Sequence, residues 1–298
     1  WMPAVKIVEV GPRDGLQNEQ SHVSVATRVE LIRYLVDAGL RNIEAVSFVS
    51  PKWVPQMAGA TEVMQGVPKL KDVQYTALTP NLQGLEAAIA AGLKEVAVFG
   101  AASEAFSQRN INCSIRESLE RFRTVMQVAQ QHKIKVRGYV SCVLGCPYEG
   151  EVSPQKVSEI AVLMREMGCY EISLGDTIGK GTPRSTEQML EACLRVIPSD
   201  CLAGHFHDTY GMAIANISKS LEMGLRAFDS SVAGLGGCPY AKGASGNVAT
   251  EDVVYLMHAM GFDTGINLQL LANAGKFISD QLGRVSASKV SQAILNSV

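Results

Sequence analysis

Residues 202–225, LAGHFHDTYGMAIANISKSLEMGL, contain the pattern that decides the fold of this chain. A short apolar run at Leu202–His207 is followed by an amphipathic stretch at Ala213–Met223. Gly224 then ends the predicted helix, because glycine adopts the left-handed conformation at low cost. A strand, a helix and a terminal glycine in this order predict one strand–helix unit, which favours a parallel sheet covered by helices.

The same alternation of strand and helix occurs eight times along the chain. The predicted strands are Val5–Val10, Asn42–Ser47, Val73–Leu78, Glu95–Phe99, Lys135–Ser141, Glu171–Leu174, Leu202–His207 and Arg226–Ser231. The predicted helices are Val25–Ala38, Gly59–Gln65, Leu82–Ala91, Ile115–His132, Pro154–Met167, Thr186–Val196, Ala213–Met223 and Thr250–Met260. Several of these helices end, as the quoted one does, with a glycine just before the next strand: Gly39, Gly92 and Gly168.

This repetition predicts an α/β fold of the (β/α)8 TIM barrel type, because eight such units are the number that closes a barrel. An open doubly wound sheet is the competing architecture. The sequence contains no hairpin signals and no linker, so we expect a single domain over residues 1–298. The barrel should span about 5–262, with an appended C-terminal helix at about 267–283.

Composition and charge exclude several classes of protein. The 298 residues include 27 basic and 29 acidic side chains, and the formal net charge of −2 argues against nucleic acid as a partner. No apolar run approaches the ~18 residues that a membrane span requires. The seven cysteines are an odd number scattered through a long chain, which indicates reduced thiols and predicts a cytoplasmic protein.

His205 and His207 lie at the end of the seventh predicted strand, where barrels of this type place their chemistry. Side chains two residues apart on a strand point to the same face. The pair therefore favours a divalent cation site over two hydrogen-bonded core histidines. A zinc hydrolase barrel is the alternative, but there the pair usually lies on the first strand and further histidines follow on later strands. The other three histidines here fall in predicted helices or a loop.

The remaining ligands should accordingly be oxygens from neighbouring strand ends. Asp14 follows the first strand, and Asn247 lies in the long segment after the eighth. Two imidazoles, a carboxylate and an amide oxygen suit Mg²⁺ or Mn²⁺ better than zinc. A nearby carboxylate, Asp208 or Asp176, can orient one of the imidazoles.

The first predicted loop, Gly11–Glu19, is rich in polar side chains. Arg13, beside the proposed ligand Asp14, can donate to a developing oxyanion, which favours a reaction through an enolate. A salt bridge from Arg13 to Glu44 at the end of the second strand is the structural alternative. Both interpretations can hold, because a carboxylate can fix the arginine while it donates.

The loop after the eighth strand contains five glycines between Gly234 and Asn247, and it can act as a lid over a ligand. Cys238 is its only thiol. We expect this thiol to be exposed on the loop and to act as an acid, rather than to fill space as a small buried hydrophobe.

The segment Gly175–Thr182 resembles a phosphate-binding P-loop but is one residue short, and Gly181 stands where Ser or Thr should follow the lysine. The first helix also lacks the glycine signature of dinucleotide-binding folds. Nucleotide binding is therefore not indicated.

Together these features resemble the 3-hydroxy-3-methylglutaryl-CoA lyase family, which belongs to the metal-dependent lyases and Claisen-type synthases. The resemblance extends from about Val5 to Gly261, and the segment Ser231–Tyr240 is its most specific part. The other segments that carry it are Val10–Glu19, Ser47–Trp53, Gly145–Glu149, Leu174–Gly179 and His205–Asp208.

The resemblance implies cleavage of 3-hydroxy-3-methylglutaryl-CoA to acetoacetate and acetyl-CoA, a reaction of leucine degradation. It implies metal binding by Asp14, His205, His207 and Asn247. Arg13 would bind the enolate oxygen with Glu44 beside it, Cys238 would supply the acid, and Gln17, Ser47 and Asp176 would contact the acyl-CoA substrate. Asp14, His205 or a metal-bound hydroxide would be the base. A homo-oligomer is expected, with a dimer favoured.

Three other functions stay open at this point. A condensing synthase joins acetyl-CoA to a 2-oxo acid on the same kind of metal site, but usually carries an additional C-terminal region. A related lyase would act on another 3-hydroxyacyl-CoA. A degenerate barrel would serve binding or assembly alone, against which the complete set of chemical residues argues.

Overall fold

The computed structural model describes residues 1–240 and 245–297. Its strands are β1 (Lys6–Glu9), β2 (Asn42–Ser47), β3 (Gln74–Leu78), β4 (Glu95–Ala101), β5 (Lys135–Ser141), β6 (Glu171–Asp176), β7 (Leu202–Phe206) and β8 (Ala227–Ser230). Its helices are α1 (Val25–Asp37), α2 (Ala60–Gly66), α3 (Leu82–Ala90), α4 (Glu104–Ile111), α5 (Ile115–Gln131), α6 (Pro154–Glu166), α7 (Pro183–Leu194), α8 (Ala213–Glu222), α9 (Thr250–Ala259), α10 (Leu268–Leu282) and α11 (Lys289–Leu295).

The eight strands form one closed sheet in the order of the sequence. Neighbouring strands are parallel, as in the register that pairs Val8 of β1 with Asn42 of β2 and Val98 of β4 with Gly138 of β5. The predicted (β/α)8 barrel is therefore confirmed. The predicted appended helix is present as α10. Of the helices described, none combines the length and the apolar character needed to cross a membrane.

The chain groups into two compact units, Trp1–Ala77 with Phe228–Val298, and Leu78–Ala227. The first contains β1, β2 and β8, and in it α1 contacts α10 through stacked rings of Tyr34 and Phe277 whose centroids lie 4.8 Å apart. The second contains β4 to β7, whose aliphatic side chains are almost completely buried. A single domain over 1–298 stays a prediction.

Side-chain caps and glycine stops fix the ends of several helices. Side chains of Ser24, Ser114 and Ser153 accept hydrogen bonds from backbone N–H groups in the first turns of α1, α5 and α6. The predicted stop at Gly39 has a φ of 108°, and a Cβ there would lie 2.3 Å from the carbonyl oxygen of Gly265. Only glycine fits this position without a shift of the backbone.

The structure differs from the predicted elements at several points. Helix α4 was not predicted, because its eight residues are mostly polar and show little periodicity. Helix α11, which follows the predicted appendage, was also missed and is only seven residues long. Strand β7 ends at Phe206, so His207 lies just beyond it. The predicted loop at Gly11–Gly15 is a turn of π-helix.

Candidate active site

The π-helical turn Gly11–Gly15 positions the side chains of the first loop. Gly15 must be glycine, because a Cβ would lie 2.6 Å from Ser231 Oγ and 2.8 Å from Leu235 Cβ. The absence of a side chain at Gly15 lets the turn pack closely against Ser231 and Leu235, which follow β8. The turn therefore places Arg13 and Asp14 by backbone packing.

Arg13 is buried and fixed by its neighbours. Its Nε donates to Glu44 Oε1 of β2 at 2.5 Å, and Glu44 is fully buried. Its Nη1 lies 3.3 Å from Asp14 Oδ1 and 3.4 Å from Gln17 Oε1. The alternative from the sequence, a salt bridge with Glu44, is thus present, and it holds the guanidinium in one orientation.

Asp14 and Asn247 meet within the first unit. Asn247 Nδ2 donates to Asp14 Oδ2 at 2.9 Å, and Asn247 is almost completely buried. Because the amide nitrogen faces the carboxylate, the amide oxygen is directed away from it. The two residues are hydrogen-bonded neighbours, and their role as ligands of one metal ion stays a prediction.

In the second unit, His205 and His207 present their rings side by side with centroids 5.4 Å apart. The rings of His205 and Tyr139 are nearly perpendicular, with an interplanar angle of 87° and centroids 5.8 Å apart. His207 Nδ1 lies 2.9 Å from the carbonyl oxygen of Thr177, to which it donates when Nδ1 is protonated. That tautomer leaves Nε2 of His207 with its lone pair for a metal ion.

Asp14, His205 and His207 can hold a metal ion. Each offers one ligand atom, and the three atoms lie within 4.8 Å of one another. Two imidazole nitrogens and a carboxylate oxygen form a donor set that binds divalent transition metals and, with further oxygens, Mg²⁺.

The turn after β6 is organised by Asp176. This carboxylate is fully buried, and its Oδ2 accepts a hydrogen bond from Gly181 N at 2.8 Å. Burial raises its pKa to about 6, although backbone N–H groups of Gly179, Lys180 and Gly181 oppose the shift. The amides of the P-loop-like segment therefore face a side-chain carboxylate. The role of Asp176 in substrate binding stays a prediction.

The segment after β8 is held by two buried carboxylates that the sequence analysis did not single out. Glu9 Oε2 accepts from Val232 N at 2.9 Å and from Gly11 N at 2.8 Å, and Glu251 accepts from Ala233 N at 2.9 Å. Ala233 has a φ of 58°, which is uncommon for a residue with a side chain. Burial raises the pKa of Glu9 to about 8 and that of Glu251 to about 7.

Cys238 lies in this segment and is buried, with 6% of its surface exposed. The expectation of an exposed thiol was therefore wrong, because the segment packs on the first loop. Gly236 N donates to Glu19 Oε1 at 2.9 Å, and Gly237 N donates to Asn18 O at 3.3 Å. Residues 241–244 of the proposed lid lie outside the described part of the chain.

Ser47, at the end of β2, is buried, and its Oγ has no hydrogen-bond partner among the described residues. A buried hydroxyl without a partner costs free energy. An arriving polar ligand can satisfy it, which agrees with the proposed substrate contact.

The structure thus brings the predicted residues of the first unit together: Arg13, Asp14, Gln17, Glu44 and Asn247. Sequence reasoning missed Thr177, because a backbone carbonyl has no signature in the sequence. Glu9 and Glu251 did carry a signal, since each is a charged residue at a position of a strand or helix that should face the interior. Thr177 O is a partner of His207 Nδ1, and Asp208 Oδ1 accepts a hydrogen bond at 3.1 Å from the N–H of Ala213, the first residue of α8.

Comparison with known proteins adds to this geometry. A family model described as HMGL-like matches residues 4–278. The hydroxymethylglutaryl-CoA lyase of Pseudomonas mevalonii is 60% identical over 293 residues, which are 98% of this chain and 97% of that protein.

Two solved structures are similar over almost the whole chain. A crystal structure of hydroxymethylglutaryl-CoA lyase from Pseudomonas aeruginosa covers 100% of this chain and 99% of its own, with a TM-score of 0.98 and 57% identity. An HMG-CoA lyase from Acenitobacter baumannii, solved in complex with coenzyme A and 3-methylmalate, covers 97% and 95%, with a TM-score of 0.92 and 34% identity.

Proposed function

This chain belongs to the HMGL-like family, and from that premise we propose that it cleaves 3-hydroxy-3-methylglutaryl-CoA to acetoacetate and acetyl-CoA. The observation that carries the proposal is the 60% identity to a hydroxymethylglutaryl-CoA lyase over nearly the full length of both chains. It is an enzyme that breaks a carbon–carbon bond. The arrangement around Arg13 and Asp14 supports the same reaction on chemical grounds.

A divalent cation fits the residues present. Asp14, His205 and His207 offer three donors, and the contact of Asn247 with Asp14 supports Asn247 as the fourth ligand. When bound, Mg²⁺ or Mn²⁺ would bind the tertiary hydroxyl of the substrate and lower its pKa. We propose that the metal is either Mg²⁺ or Mn²⁺.

Arg13 is the residue we assign to the enolate oxygen of the departing acetyl-CoA. Glu44 accepts a hydrogen bond from Nε of the guanidinium and holds its plane, and a guanidinium has five N–H donors in all. A charge that develops only near the transition state is stabilised selectively by such a preorganised donor. Glu44 is accordingly a positioning residue.

Cys238 is the residue we assign to protonation of the enolate carbon. A thiol carries a proton that it can donate to a neighbouring carbanion, which is what a general acid must do. Its burial excludes water from the carbanion. The proton of the tertiary hydroxyl would go to Asp14 or His205.

An acyl-CoA is the substrate class we propose. The lyase solved with coenzyme A and 3-methylmalate supports it. Ser47, with its unpartnered Oγ, and Gln17, beside Arg13, are the contacts we propose for the acyl group. We also propose a homodimer and a cytoplasmic location; all seven cysteines are free, in accord with a reducing compartment.

Acetoacetate release from 3-hydroxy-3-methylglutaryl-CoA tests the function, measured with Mg²⁺, after EDTA, and after Mg²⁺ is restored. We expect activity only with the metal, and none in His207→Ala, which should keep the thermal melt of a folded barrel. Full turnover of the metal-stripped enzyme would exclude the proposed metal role. Release of citrate-like condensation products from acetyl-CoA and a 2-oxo acid, without cleavage, would identify a synthase instead.

A further inference from the structure

The segment between β2 and α2, residues 48–59, carries an exposed tryptophan that the proposed reaction does not use. Trp53 lies near the middle of this segment, and 83% of its surface is exposed to solvent. Tryptophan is highly buried on average in folded proteins, and it is enriched at binding interfaces. The exposed indole therefore calls for a ligand or a partner.

Hydrogen bonds hold the 48–59 segment on both sides of the indole. Before it, a turn forms in which the N–H of Trp53 donates to Ser50 O at 3.0 Å. After it, Nη1 of the buried Arg28 in α1 donates to Ala58 O at 2.6 Å. The exposure of Trp53 is therefore a property of the folded segment, which presents the ring in a defined place.

A cation stands next to the indole in the sequence. Lys52 is exposed, and none of the described carboxylates forms an ion pair with it. Because the whole chain has a formal net charge of −2, an anionic ligand needs local cations where it binds. Lys52 and Trp53 together offer one positive charge and one aromatic face. This combination suits a ligand that joins phosphate groups to an aromatic base.

The same segment begins at the proposed acyl site. Ser47, the last residue of β2, has a buried Oγ without a partner among the described residues, and Glu44 of the same strand fixes Arg13. An acyl-CoA whose thioester lies at Arg13 carries its adenosine and phosphate groups at the far end of a long pantetheine arm. Because the interior of such a barrel is packed with side chains, that end must lie outside it. The segment that continues outward from Ser47 carries Lys52 and Trp53.

We propose that Trp53 and Lys52 bind the nucleotide end of CoA, with the adenine ring stacked on the indole and a phosphate group beside the ammonium. The identity of this ligand rests on the proposed function. The nucleotide is unchanged during the reaction, so a contact with it stabilises the bound substrate and the transition state equally. Trp53 and Lys52 are therefore binding residues, which should affect KM and leave kcat unchanged.

Fluorescence tests the contact without any turnover. The chain contains two tryptophans, Trp1 and Trp53, so Trp1→Phe leaves Trp53 as the single indole. In this protein, loaded with Mg²⁺, CoA and adenosine 3′,5′-bisphosphate should each quench the emission saturably after correction for their own absorption, whereas pantetheine should leave it unchanged. Absence of quenching by CoA, or equal quenching by pantetheine, would overturn the proposal. Emission that depends on protein concentration and not on CoA would also overturn it, because a second copy of the chain would then cover the indole.

Kinetics test the same contact in the proposed reaction. For 3-hydroxy-3-methylglutaryl-CoA, Trp53→Ala should raise KM by about tenfold, within the contribution of one stacked base, with kcat unchanged. Trp53→Phe keeps an aromatic face and should restore much of the affinity. Lys52→Met should raise KM by about two- to fivefold, the size of one exposed ion pair. Tyr255→Ala removes another exposed ring, on α9, and is the matched control with an unchanged KM.

A truncated substrate separates a nucleotide contact from a structural role. The pantetheine thioester of the same acyl group lacks the nucleotide, so the wild type and Trp53→Ala should cleave it with equal kcat/KM. An equal loss on both thioesters would mean that Trp53 shapes the segment, and the proposal would be overturned. If the wild type cleaves neither thioester, the proposed function fails, and the quenching of Trp53 by CoA then decides on the nucleotide site by itself.

Discussion

The turn after β6 and the turn after β8 are both fastened by buried carboxylates that accept backbone N–H groups. After β6 the carboxylate is Asp176, which stands at the end of the strand and accepts from residues three to five positions later. After β8 the carboxylates are Glu9 and Glu251, which come from β1 and from α9. One turn is thus fixed locally, whereas the other is fixed by residues distant in the sequence.

The two turns, which differ in how they are held, also differ in the groups that they position. The locally fixed turn offers a backbone carbonyl, that of Thr177, to the ring of His207. The turn fixed from a distance begins the segment that contains Cys238 and Asn247. Asp176, close in sequence to the turn that it holds, therefore helps to orient His207. Glu9 and Glu251, distant in sequence, connect the segment of Cys238 and Asn247 to the rest of its unit.

The largest effect should come from Cys238, the reactive group after β8. Cys238→Ala should lower kcat by about 10²–10⁴-fold, the usual contribution of a positioned acid, with metal binding retained. Cys238→Ser should also be poor, because a hydroxyl is far less acidic than a thiol. Single-turnover assays and thermal melts on both variants provide the measurement. A destabilised Ser variant with full activity would make Cys238 a packing residue and remove the contrast between the two turns.

A smaller effect is expected from the anchor after β6. Asp176→Ala should release the turn and loosen the carbonyl that orients His207, lowering metal affinity by about 10–100-fold. Asp176→Asn retains an acceptor oxygen and is the matched control. We expect its metal affinity to fall by about 10-fold, the lower end of this range. Titration of Mn²⁺ into the metal-free protein measures both. Unchanged affinity in the Ala variant would show that the turn does not depend on its carboxylate.

The anchor Glu9 predicts a dependence of stability on pH. Its pKa is about 8 in the folded chain and 4.5 in the unfolded chain, so between these values the folded state holds a proton that the unfolded state has lost. Stability therefore falls as pH rises through this window, by at most about 1.4 kcal/mol per pH unit for one group. Burial raises the pKa of Glu251 to about 7 and that of Asp176 to about 6, so both groups titrate at lower pH than Glu9.

Glu9→Gln imitates the protonated acid and should remove this loss. Urea unfolding between pH 7 and 8 is measured on the wild type and on Glu9→Gln, and the difference between the two slopes isolates Glu9, because Glu251 is present in both proteins. The wild-type free energy of unfolding should decline more steeply than that of the variant. If the free energies of unfolding of the two proteins changed in parallel with pH, Glu9 would be ionised throughout this range. The turns after β6 and β8 would then both be held by ionised carboxylates.

The smallest effect concerns the hydroxyl of Thr177. Thr177→Val keeps the carbonyl that faces His207 but removes the acceptor of Cys142 N, which should cost about 1 kcal/mol of stability. Thr177→Ser is the control and should retain most of it. Chemical unfolding measures the difference, and equal stability of the Val and Ser variants would contradict a role for this hydrogen bond.

The fold and part of the site could be read from the sequence for identifiable reasons. Eight strand–helix units and the glycine stops depend on local rules, and the period of two along a strand placed His205 beside His207. The burial of Cys238 could not be foreseen, because it depends on how Gly236 and Gly237 pack on the first loop. The roles of Glu9 and Glu251 likewise depend on contacts with residues distant in the chain.

The helices at the C-terminus have a consequence for the interior of the first unit. Ser291 of α11 donates to Glu251 Oε2 at 2.8 Å, and at Gly275 of α10 a Cβ would lie only 2.6 Å from the same oxygen. These helices therefore form a wall that keeps solvent away from this carboxyl. A chain that ended before α10 would hydrate Glu251, and its affinity for a proton would fall toward that of a surface glutamate. Helices α10 and α11 thus shield Glu251 from solvent. The proton affinity of this buried acid therefore indicates whether the two helices are packed against it.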